Sequence, residues 1–141
     1  MNTKEALKQL ATLLYGYDFI FHPKFIDELR SLLCKELKGK EAKFFKCLTN
    51  QLKYVHDFGI LVHQTDGHEQ IKGFDGQYYS IHIEGKEFNI RFLVHISNTG
   101  TSHFLCAFYE RAGNRRNDYT SYTEVIQQRF LEIKEGDTKN E

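Results

Sequence analysis

QYYSIHIEGKEFNIRFLVHI, Gln77 to Ile96, is where the periodicity of the chain changes. Tyr79, Ile81 and Ile83 alternate with Tyr78, Ser80, His82 and Glu84. After Gly85-Lys86, Phe88, Ile90, Phe92, Val94 and Ile96 alternate with Asn89, Arg91, Leu93 and His95. A period of two sustained on both sides of a glycine reads as two half-buried antiparallel strands. Gly85-Lys86, with glycine first, suits a type II′ turn. That turn predicts Ser80 opposite Arg91 and His82 opposite Asn89, with His82 and Arg91 as diagonal neighbours.

The flanking segments follow other rules. SNTGTS leads to a third strand, His103 to Tyr109, and the Asp-Gly of IKGFDGQYY marks a turn before the first. Upstream the spacing is helical. Phe25, Ile26, Leu29, Leu32, Leu33 and Leu37 predict a helix from Lys24 to Lys38 that Gly39 stops. Phe44, Phe45, Leu48, Leu52 and Val55 predict a second from Lys40 to His56, so the two form a helical hairpin. YDFIF (Tyr17 to Phe21) reads as a strand closed by Pro23. A short helix over 3–15, capped by Asn2 or Thr3, forms an N-terminal extension within residues 1–16. A last helix from about Tyr119 to Ile133 starts near Thr120 or Ser121, and residues 134–141 form a polar, frayed tail. The fold class is therefore α+β in a single domain over 1–141. Its helical hairpin packs on one face of a small antiparallel β-sheet, and the other face is polar and open.

Composition narrows the function classes. The chain has 141 residues with 19 basic and 19 acidic, so its overall field does not attract nucleic acid, and any such contact needs a local patch. Cys34, Cys47 and Cys106 have no paired spacing and lie in apolar-periodic segments, which suits reduced, buried thiols and a cytoplasmic location. No apolar run approaches the roughly 18 residues of a membrane span, and no membrane partner is expected.

The third strand empties into AFYERAGNRRNDY, Ala107 to Tyr119. A slip of one residue in the Ser97–Ser102 link would set Tyr109 opposite Arg91. Tyr109, Glu110 and Arg111 would then sit beside His82 and Arg91. Arginine holds phosphate oxygens in a planar fork and offsets charge in a pentacoordinate transition state. Histidine, glutamate or tyrosine can move a proton at a ribose hydroxyl or a leaving oxygen. An Arg, His, Glu and Tyr set on an open sheet face is what metal-free RNA cleavage requires. It is also what an ordinary solvated strand end contains.

The order strand, helical hairpin, QIKGFDGQYYSIHIEGKEFNIRFLVHI…HFLCAFYERAG and closing helix resembles the RelE/ParE toxin superfamily, in particular its HigB-like, phage-derived group. IKGFDGQYYSIHI stands for that group's K-x-L-x-x-G-L-Y-E-L-R stretch and FNIRFLV for its Y-R-x-x-Y strand. CAFYER stands for G-F-x-K-K, and YTEVIQQRF for the helix pattern. The resemblance covers about residues 17–133. It implies the toxin of a type II toxin–antitoxin pair, with a small helix-turn-helix antitoxin as partner. Most such toxins cut mRNA on the ribosome without metal or other cofactor, while ParE-type members inhibit DNA gyrase.

By the resemblance, Arg91 supports the scissile phosphate and Arg111 is a second basic residue beside it. Glu110 replaces a lysine, and Tyr109 next to it stacks or transfers a proton. Lys72 contacts the RNA backbone, and His82 replaces an arginine. Arg115 and Arg116, just after Arg111, are further candidates for phosphate contact.

Three weaker signals remain. HQTDGHE brings His63, Asp66, His68 and Glu69 close in sequence, with spacing that matches no strong metal signature. His95 shares the parity of Arg91 but reads as a half-buried sheet residue. Cys106 reads as core, because nothing nearby in sequence lowers its pKa.

Overall fold

The computed structural model describes residues 2–64, 68–71, 77–110 and 120–139; for Thr120 and 135–139 the backbone alone is described. Helix α1 (Thr3–Leu14) starts at Asn2, whose side chain accepts a hydrogen bond from the Glu5 amide at 2.8 Å. Strand β1 is Ile20–Phe21. In α2 (Pro23–Cys34), Pro23 occupies the first turn and the His22 ring accepts from the Lys24 amide at 3.0 Å. Helix α3 (Glu41–Phe58) ends at Gly59 and runs into a 3-10 turn, Gly59–Gln64. Then come β2 (Glu69–Gln70), β3 (Tyr78–Glu84), β4 (Asn89–Ile96) and β5 (Ser102–Tyr109). A 3-10 turn at Thr120–Tyr122 leads into α4 (Thr123–Lys139).

The sheet order is β1-β5-β4-β3-β2. The α+β class holds, but the sheet is mixed: β1 runs parallel to β5, with Ile20 paired to His103 and Phe21 to Phe104. Only two residues of YDFIF pair. Tyr17 and Phe19 instead pack as aromatic rings, with Phe19 5.0 Å from Phe104. The last helix reaches Lys139, into the stretch read as a polar tail.

The predicted hairpin register is two residues out. Arg91 pairs directly with His82, Leu93 with Ser80, and Asn89 with Glu84. The Gly85 amide donates to the Phe88 carbonyl at 2.9 Å, so Lys86-Glu87 is the turn. Phe88 is the reason: its ring is buried in the core, and a Cβ on Gly85 would meet that ring at 2.7 Å. Gly85 is required for space, not for a left-handed backbone, since positive φ occurs at Gly39, Gly59 and Gly100. A shift of two keeps every side chain on its expected face.

One face packs against α1, α2 and α3. Its core holds Leu10, Phe25, Leu29, Phe44, Leu48, Tyr79, Ile81, Ile90, Phe92 and Phe104, all at most 2% exposed. The other face is not open. Tyr78, Leu93, Leu105 and Cys106 on the sheet and Ile126 on α4 form a second core, with Phe108, Tyr122 and Phe130 packed against it. A β-bulge puts two consecutive residues on it: Leu93 pairs with Cys106 but Val94 with Phe104, so Leu105 is the extra residue in β5 and faces the same way as Cys106. Cys106 is buried, as expected, and burial pushes its thiol up to about 12; Cys34 is exposed, against expectation, and all three thiols are free.

Beyond β1, the outer edge of β5 is capped by side chains. Arg129 of α4 donates to the Leu105 carbonyl at 2.7 Å, and Glu28 of α2 accepts from the Ala107 amide at 3.1 Å. The two side chains pair with each other through two hydrogen bonds of 2.8 and 3.0 Å. One ion pair thus ties both helical layers to a stretch of edge that no strand covers among the described residues.

Candidate functional site

The sheet face under α4 has two ends. Near the Ser97–Ser102 link it is sealed by aromatic stacking. His95 lies flat on Phe130, ring centres 3.8 Å apart, with His103 5.6 Å away. Burial, then His103 and Lys134, lower the His95 pKa to about 4. His95 is thus a core residue, more deeply buried than the half-burial expected of it.

The end nearest the Lys86-Glu87 turn differs. Arg91 lies between His82 on β3 and Phe108 on β5. It is 7% exposed, yet among the described residues its Nε and Nη1 have no hydrogen-bond acceptor. Around it, His82 Nε2, Asn89 Oδ1 and Glu110 Oε1 are also buried without a hydrogen bond among those residues. His82 Nε2 is 3.4 Å from Glu69 Oε1, and the His82 amide donates to His68 Nδ1 at 3.0 Å. The Glu110 amide donates to the Asn89 carbonyl at 2.8 Å, which fixes where Glu110 leaves the sheet.

Unpaired buried polar atoms cost stability; His95 Nδ1 is a lone one at the sealed end, while the grouping of several at this end asks for a ligand. Arg91 supplies the charge. His82 is held neutral: burial first, then Arg91, then His68, lower its pKa to about 3. A guanidinium can hold an anion, and a neutral imidazole nitrogen or a carboxylate oxygen beside it can accept a proton from a neighbouring group.

His82, Arg91 and Glu110 are therefore together, as the residue types suggested. Tyr109 is not with them. It pairs with Ile90 and packs against the core under α2 and α3. The β5 bulge sets this register and gives the place opposite Arg91 to Phe108, which stacks on Tyr122 with ring centres 4.4 Å apart and planes 10° apart. Phe108 and Tyr122 were missed because each reads as strand or helix filler. Asn89 was visible in the alternation but was given no role.

Lys72, Arg111, Arg115, Arg116 and Asp66 lie outside the described residues. Among those described, no group of three or more His, Cys, Asp or Glu side chains could hold a metal. His63 bonds to the Ile60 carbonyl and His68 to Gln51, so both have structural work. Among the described residues no helix is long and apolar enough to cross a membrane. Comparison with protein-family models, with curated proteins and with solved structures gave no match.

Proposed function

We propose that the protein is a RelE/ParE-like toxin whose Arg91 guanidinium receives a phosphate of RNA. The observation that carries the reading is the buried guanidinium of Arg91 with two nitrogens free of acceptors among the described residues. The element order of strand, helical hairpin, antiparallel meander and closing helix supports it. In this reading Arg91 offsets the charge of the pentacoordinate phosphate. His82 or Glu110 takes the proton of the attacking 2′-hydroxyl. The new 2′-oxygen–phosphorus bond gives a cyclic phosphate as the bond to the 5′-oxygen breaks, and that oxygen leaves with a proton taken from water or from the group that received the 2′-hydroxyl proton. The substrate is translated mRNA at the ribosome, and the partner that restrains the toxin is a small helix-turn-helix antitoxin.

A second reading is favoured by two observations. His82, with its pKa near 3, is a weak base, and Tyr109 is turned away. The same cluster then anchors a protein target such as DNA gyrase, and no bond is cleaved.

Induced expression in a bacterial host, with transcript 5′ ends mapped, separates them. New ends within coding frames, lost in Arg91→Ala and reduced in His82→Asn, are the expected result. Growth arrest with intact transcripts moves the assignment to a protein target. No arrest sinks both.

A further inference from the structure

The helical layer on the other side of the sheet from Arg91 carries a groove. It runs between α1 and α2, with a volume of about 400 Å³. Leu7, Leu10, Leu14 and Ile26 line its apolar part. Leu10 and Leu14 form its closed floor, each 2% exposed, while Leu7 and Ile26 are partly covered and Ala11 and Tyr15 are exposed. Tyr15 stands at the end of α1 with 65% of its surface exposed, held edge-on to Phe21 at 5.6 Å. Every charged side chain that lines the groove is a cation: Lys4 and Lys8 on α1, Arg30 on α2.

The placement of those cations matters more than their number. Lys4 and Lys8 are four apart, so they stand one above the other along a single wall. Arg30 comes from the facing helix, so both walls are basic. In a chain of net charge zero this local excess is set against a neutral background.

We infer that this groove docks an acidic amphipathic helix of another protein, its apolar row laid on Leu7, Ala11, Tyr15 and Ile26 and its carboxylates flanking that row on both sides. A groove between two helices matches the ridge of a third, and anchors repeated every three or four residues fit a floor built from α1 and α2. Charge complementarity selects the partner. A second copy of this groove would bring Lys4, Lys8 and Arg30 against their own kind, so self-association through it is disfavoured. The groove lies on the α1–α2 side of the sheet, away from Arg91, so its occupant does not touch the face that carries Arg91.

The test uses a synthetic helical peptide of about five turns, leucines on one face and glutamates on both flanks, labelled for fluorescence anisotropy. A twin with lysines on the flanks is the control. The full chain is expected to bind the glutamate peptide and not the lysine peptide. The surface double variant Lys8→Glu/Arg30→Glu should bind the glutamate peptide about tenfold more weakly, since two rim pairs are lost, and should gain binding to the lysine peptide. Arg91→Met should bind as the unaltered protein does, which separates failure here from failure of the RNA reading. Equal binding of both peptides, no binding of the glutamate peptide, or no response to the double variant overturns the proposal. Binding to phosphatidylglycerol vesicles without binding of the peptide also overturns it, and assigns the groove to a lipid surface.

Discussion

Arg91→Met should make the protein more stable. In the folded state Arg91 is 7% exposed, with Nε and Nη1 lacking acceptors among the described residues. A buried donor left unpaired costs about 1–3 kcal/mol, more when charged, while an apolar group of similar length keeps the packing of the side-chain stem. Methionine should therefore add about 1–3 kcal/mol. For a chain of this size, at about 3 °C per kcal/mol, Tm rises by about 3–9 °C. Circular dichroism melts and urea titrations measure both quantities. Ligand linkage gives a second arm. Phosphate or a short oligonucleotide at 100 times its Kd should stabilise the unaltered protein by about 2.7 kcal/mol and leave Arg91→Met unmoved. A variant less stable than the parent by more than about 1 kcal/mol would refute the reasoning, because Arg91 would then be a satisfied structural residue.

Three further outcomes follow from other parts of the fold. Arg129→Met should cost about 3 kcal/mol in urea unfolding, because it strands the Glu28 carboxylate and the Leu105 carbonyl together; a double-mutant cycle with Glu28→Gln should show coupling above about 1 kcal/mol. Gly85→Ala should lower stability by about 1–2 kcal/mol, since the new methyl meets the Phe88 ring at 2.7 Å, and Phe88→Leu in the same chain should recover part of the loss. His82 and His95 have folded pKa values of about 3 and about 4, below an unfolded value near 6.5. As pH falls from about 6.5 towards 4 the unfolded chain binds protons first, so stability drops by up to about 1.4 kcal/mol per pH unit for each histidine; His95→Gln should flatten that slope in melts taken across the window.

The helices were legible because burial leaves a plain mark on spacing. Phe25, Leu29 and Leu33, then Phe44, Leu48 and Leu52, are the buried stripes of α2 and α3. Strands β3 and β4 were legible for the same reason at period two. Parity also survived a misplaced turn, so His82 and Arg91 were put on the right face with the wrong partners. The β5 register was not legible, because one unpaired residue at Leu105 breaks alternation without changing composition. That single bulge moved Tyr109 out of the candidate site and brought Phe108 in. The second core was hidden too: Cys106 read as core, but Ile126 and Phe130, the layer of a distant helix that covers it and Leu93, left no local signal. The parallel pairing of β1 joins segments that share no local signal.

That pairing also sets an order of events. Strand β1 and helix α2 both find their partner in β5, which lies more than half the chain length further on. On a ribosome the N-terminal amphipathic helices emerge with their apolar stripes complete and no sheet to receive them. The β3-β4-β5 meander closes through short turns, while β1 must wait for β5 and close a long loop. The nascent chain therefore passes through a stage in which Phe21, Phe25 and Leu29 are exposed, and chaperone demand should peak just before Tyr109 clears the exit tunnel.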